Sequence, residues 1–128
     1  MNSQEFVEQL NKIQELMEQE NYKEAITLIE KLKKIENESD FGYNLTHRLY
    51  QLDSNSRSLY NQQIIFANVR DLFKKYKFIS FQELNRVLRT KNELNLTDDI
   101  LRREIELLIL RNQLHWKIEK DNIVFNSN

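Results

Sequence analysis

Apolar residues recur at helical spacing through most of the chain. Phe6, Leu10, Ile13 and Met17, with Val7 and Leu16 beside them, form one stripe and predict a helix over 5–19. Glu8, Glu15 and Glu18 fall off that stripe, toward water. Asn21 with Glu24 three residues on is a loose capping-box pattern. It opens a second helix whose stripe is Tyr22, Ala25, Ile26, Ile29, Leu32 and Ile35. The short break between the two helices predicts antiparallel packing as a helical hairpin. After a polar break at 37–40, Ser39 or Asp40 is expected to cap a third helix bearing Phe41, Leu45, Leu49 and Leu52. The run 53–58, all polar and rich in serine, predicts a loop. A fourth helix is then expected over 59–76, with Ile65, Val69, Leu72, Phe73 and Tyr76 inward.

The pattern changes after Lys77. Phe78 and Ile79 form a short β-prone step, and Ser80 with Glu83 reads as a capping box for a helix carrying Leu84, Val87 and Leu88. A polar stretch at 91–95 follows. Thr97 caps the next helix, Leu96 can staple onto Leu101, and Leu101, Ile105 and Leu108 are its buried face. Beyond Leu114 the period becomes two, through Trp116 and Ile118. Ile123, Val124 and Phe125 return as a partner strand after a tight turn expected at Asp121 and Asn122, and Asn126, Ser127 and Asn128 are expected to fray. The order helix, short strand, helix, helix, β-hairpin is that of a winged helix. The expected fold is therefore mainly α, a helical segment over 1–57 followed by a winged-helix domain over 58–126.

Composition narrows the chemistry. The chain has 128 residues, enough for about one domain, with one glycine, no proline and no cysteine. One glycine excludes GxGxxG and Walker-type phosphate loops and the GxSxG elbow. Without cysteine there are no disulfides, thiol chemistry or cysteine-ligated metals. The two histidines, His47 and His115, are far apart and lack a carboxylate at ligand spacing. Asp98 and Asp99 are paired, but in the first turn of a helix they favour the macrodipole without any catalytic role. These features predict no enzyme, no cofactor and no metal. The polar N-terminal stretch and the short apolar runs predict a soluble, intracellular chain without a membrane span.

Net charge is −1, but it is uneven. Residues 1–58 carry 7 basic and 11 acidic groups, and residues 59–128 carry 12 basic and 9 acidic groups. The candidate nucleic-acid contacts are Lys74, Lys75, Lys77, Arg86, Arg89, Lys91, Arg102, Arg103, Lys117 and Lys120. Asp98 and Asp99 oppose that reading, because they would face the phosphates from the helix that enters the groove. Trp116, the single tryptophan, is expected to cap the domain core, with stacking a base or anchoring a partner as the alternatives. The five tyrosines are expected to pack between helices. A homodimer with the Phe6–Met17 stripe as its seam is a further expectation.

Residues 60–125 resemble the C-terminal winged helix of PCI-domain proteins, the scaffold subunits of the proteasome lid, the signalosome and a translation-initiation complex. The resemblance rests on several segments. Residues 61–65 match its lead-in helix, 78–84 its short strand and following helix start, and Leu108 and Ile109 its paired apolar positions. Residues 116–119 and 122–125 match its hairpin, with Glu119 for the usual Asp and Asn122 for the usual turn Gly. The stretch 91–95 lengthens the usual helix connection, and a full PCI domain has more helices before the wing. The spacing also resembles other winged helices, the C-terminal module of cullins among them. The resemblance implies a non-catalytic protein–protein scaffold, with residues 5–36 corresponding to the family's helical repeats. The alternative is a winged helix that binds DNA or RNA.

Overall fold

A computed structural model describes residues 1–112 and 114–125, so the expected fraying of Asn126, Ser127 and Asn128 lies outside the described residues. The described chain is mainly helical, with a small three-stranded antiparallel sheet. It divides into two compact units, Met1–Tyr60 and a second beginning at Asn61.

In the first unit, α1 (Ser3–Glu18) starts at a full capping box. Asn2 Oδ1 accepts from the Glu5 amide at 2.8 Å, and Glu5 Oε1 accepts from the Asn2 amide at 3.3 Å. Glu20, at φ 60°, ends the helix. The Asn21 amide donates to Leu16 O and the Glu20 amide to Met17 O, the paired bonds of a Schellman motif. The next helix, α2 (Tyr22–Glu38), lacks the expected side-chain cap from Asn21. Asn21 sits at ψ 64°, away from the extended backbone that aims a capping side chain at the first turn.

Phe6, Leu10, Ile13, Ala25, Ile29, Leu32 and Leu49 form the core of this unit, and Phe41 stacks on Phe6 with centroids 4.4 Å apart. Each large side chain buried here contributes about 1.5–3 kcal/mol. The stripe considered above as a dimer seam is thus spent inside the unit, with Phe6, Leu10 and Ile13 fully buried. Before the next helix, Asp40 does not cap it directly. Its Oδ1 accepts from the Gly42 amide at 2.9 Å, and Gly42 takes φ 91°, where only glycine is unstrained.

The third helix departs most from expectation. Residues 53–58 are not a loop: α3 runs unbroken from Tyr43 to Phe73. Asp53 and Ser56 are buried on it. Asp53 accepts from Lys33 of α2 at 2.5 Å and from Arg57, one turn along, at 2.8 Å, while Arg57 also pairs with Glu30 of α2. Five helix-poor polar residues, all of the run but Arg57, cost about 2–3 kcal/mol by intrinsic propensity. No Gly or Pro enforces a break, and the burial of Leu49 before them and Ile65 after them, with the ion pairs, outweighs that cost.

In the second unit, α3 ends at Phe73 rather than Tyr76, and Tyr76 is 55% exposed instead of inward. The sheet dictates this, because Lys77 O must accept from the Phe125 amide, so the chain is already extended there. There follow β1 (Phe78–Ser80), α4 (Phe81–Asn92), α5 (Asp98–Asn112), β2 (Trp116–Glu119) and β3 (Asn122–Phe125). The sheet order is β1-β3-β2, with Ile79 opposite Ile123 and Ile118 opposite Ile123 on its other side. Glu119 pairs with Asn122, so the hairpin turn is Lys120–Asp121, one residue earlier than expected, with Lys120 at φ 53°.

Ser80 Oγ caps α4 by accepting from the Glu83 amide at 3.0 Å. The reciprocal half of the expected box is missing, because the Glu83 carboxylate is taken by Arg86. Thr97 Oγ1 accepts from the Ile100 amide at 3.3 Å. Ile65, Val69, Leu84, Leu88, Leu101, Ile105, Leu108 and Ile123 make the core, as their periodicity predicts. No helix among the described residues is long and apolar enough to cross a membrane.

Candidate functional site

Two surfaces of the second unit carry the candidate residues. The first is a groove of about 450 Å³ bounded by the end of α3, by β1 and by α4. Lys75, Arg86 and Lys91 line it, with Tyr76 and Phe78 as exposed rings and Leu72, Ile79 and Val87 as apolar walls. Arg86 and Lys91 both come from α4, on either side of the groove-lining Val87, and Lys75 comes from the turn out of α3 into β1 just before Lys77. Glu83 is the carboxylate of the lining, and Arg86 holds it with two nitrogens, Nε and Nη2. That hydrogen bond and charge keep the Glu83 carboxyl below its ordinary pKa and push the Arg86 guanidinium still higher. Lys74, Lys77 and Arg89 are exposed but lie outside the lining.

The second surface is the outer row of α5. Asp99, Arg103, Glu106 and Leu110 are all exposed at the spacing of one helix face, and Leu110 is 75% exposed. Asp98 is drawn toward α4 instead, where its Oδ1 accepts from Asn85 Nδ2 at 2.9 Å. Arg103 Nε lies 3.6 Å from the carboxylate of buried Glu104.

The remaining candidate cations do not join either surface. Arg102 already has partners: its Nη2 donates to Lys120 O at 2.7 Å, and its guanidinium lies 4.6 Å over the Phe81 ring. It closes the β2–β3 turn onto α5, beside Asp98, Asp99 and Asp121. Lys117 and Lys120 are exposed on the hairpin. Trp116 packs on Phe66 (6.1 Å) and edge-on to Phe125 (5.8 Å), against the periphery of the core. His47 stacks on Tyr43 in the first unit, and His115 is exposed in the second. Among the described residues, no group of three or more His, Asp or Glu is gathered to hold a metal ion.

Leu110 escaped sequence reasoning because it ends the apolar run 107–110. Its phase was available, since it falls opposite Leu101, Ile105 and Leu108 on a helical wheel. Comparison of the chain with protein-family models, with curated proteins and with solved structures finds no match.

Proposed function

We propose that the second unit is a winged helix acting as a non-catalytic protein-interaction module of a larger assembly, of the kind that the PCI resemblance implies. The element order from α3 to β3 and the strand order β1-β3-β2 support the winged-helix reading. The outer row of α5 carries the functional reading. In a winged helix that binds duplex DNA this helix enters the major groove and faces phosphates. Here its outer row offers two carboxylates, one arginine and a 75% exposed leucine, with Arg111 exposed next to that leucine. Asp99 and Glu106 would repel a phosphate backbone, whereas Leu110 ringed by charge is the composition of a protein contact with an apolar centre and polar rim. That same observation disfavours the alternative, duplex DNA or RNA in the major groove.

The test is affinity capture from an extract of the source cells with wild-type protein and a Leu110→Lys variant. A defined partner set recovered by the wild type is expected to be lost with the variant, whose circular dichroism stays unchanged. Equal recovery by both contradicts the assignment of α5.

A further inference from the structure

We propose that the groove between the end of α3, β1 and α4 binds single-stranded nucleic acid, with Tyr76 and Phe78 stacking bases and Lys75, Arg86 and Lys91 holding phosphates. The site shares no residue with the α5 row and stands independently of the function proposed for it.

The rings are the first observation. Phe66 stacks with Trp116, Phe73 meets Phe125 edge-on, and Phe81 lies under the Arg102 guanidinium. Phe78 and Tyr76 are the exceptions in this unit: they are 60% and 55% exposed, and neither has a ring or cation partner among the described residues. Both border the same groove.

Charge is the second. Lysines and aromatic rings alternate along Lys75, Tyr76, Lys77 and Phe78, and α4 adds Arg86 and Lys91 from across the groove. Lys75 and Lys91 have no carboxylate partner among the described residues, and Glu83 is already neutralised by Arg86, whose Nη1 is left for a phosphate. A volume of about 450 Å³ is that of a site for a nucleotide-sized group.

A positive groove flanked by stacking rings is the way single strands are held without sequence preference. A duplex hides its base faces, so the two free rings would gain nothing from it. An acidic peptide satisfies the cations but has no need of two flat ring faces.

Fluorescence anisotropy with labelled oligouridine and oligothymidine of about 15 nucleotides tests the site. The other probes are a duplex of equal length and a peptide of glutamate and phenylalanine. The single strands are expected to bind at micromolar concentration, to weaken steeply with salt, and to bind about tenfold more tightly than the duplex. Tyr76→Ala and Phe78→Leu each lower the affinity about tenfold, whereas Tyr76→Phe and Lys117→Ala retain it. Lys75→Glu combined with Lys91→Glu abolishes binding. The proposal is overturned by no binding at low salt, by duplex binding as tight as single-strand binding, or by capture of the peptide alone. Full affinity in the folded Tyr76→Ala and Phe78→Leu variants overturns it equally.

Discussion

Asn85 Nδ2 donates to Asp98 Oδ1 at 2.9 Å and to Leu96 O at 3.1 Å, pinning the first residue of α5 to the middle of α4. Both partners are acceptors, which fixes the amide with its nitrogen toward them and leaves Oδ1 buried without a partner among the described residues. Asn85 is 4% exposed, so its end of the tie is buried, while Asp98 is exposed. The tie holds the exposed Asp98 carboxylate to α4 and leaves Asp99 to lead the outer row of α5.

Asn85→Ala is expected to destabilise the second unit by about 2 kcal/mol, because it orphans the Leu96 carbonyl and loosens a carboxylate. Asn85→Asp is expected to cost more at neutral pH, where it sets a second negative charge against Asp98. Trp116, the only tryptophan, reports this unit, so urea unfolding followed by its fluorescence checks both. Wild-type midpoints for both variants contradict the tie.

A buried hydroxyl gives the opposite sign in the first unit. Ser56 is fully buried on α3 and its Oγ has no hydrogen-bond partner among the described residues. Ser56→Ala removes that burden and raises helix propensity, and is expected to stabilise by about 0.5–1 kcal/mol in denaturation followed by circular dichroism. A loss of stability would show that the hydroxyl is satisfied.

The Asp53 network predicts an acid-sensitive first unit. Burial raises the Asp53 carboxyl pKa, but hydrogen bonds from Lys33 and Arg57 outweigh it and hold the value below that of an ordinary aspartate. The folded pKa is therefore the lower one. The contribution is fully present above the unfolded value of about 3.9 and is lost as pH falls through the folded value. Asp53→Asn is expected to cost about 1 kcal/mol at neutral pH and to flatten the loss of stability below about pH 4. An acid limb as steep as that of the wild type contradicts the assignment.

Scarcity of glycine leaves backbone strain that a substitution can relieve. Glu93 ends α4 in the left-handed region, at φ 54°. Glu93→Gly is expected to raise the stability of the second unit by about 1 kcal/mol, read by Trp116 fluorescence. A destabilised variant would show that the Glu93 side chain does more than tolerate its backbone.

The cores were legible in the sequence because apolar periodicity is a local signal. Phe6, Leu10 and Ile13, and again Leu101, Ile105 and Leu108, are buried where their spacing places them. What was not legible depended on distant residues. The helical state of 53–58 rests on Lys33 and Glu30 of another helix, and the end of α3 is set by the bond between Lys77 and Phe125. The turn shifted by a residue because Lys120, not an Asn or Asp, takes the positive φ. The cations of the groove could be counted in the sequence. The exposure of Tyr76 could not, because its helical phase pointed inward.

The most direct test of the interaction role of α5 is the size of the assembly in which the chain travels. Native extract from the source cells would be fractionated by size and probed for the wild-type chain and for a chain carrying Glu106→Lys and Leu110→Lys. The wild type is expected well above its own 15.6 kDa, and the double variant near it. A wild-type chain at its own mass, or a variant that still travels with the assembly, would contradict the account.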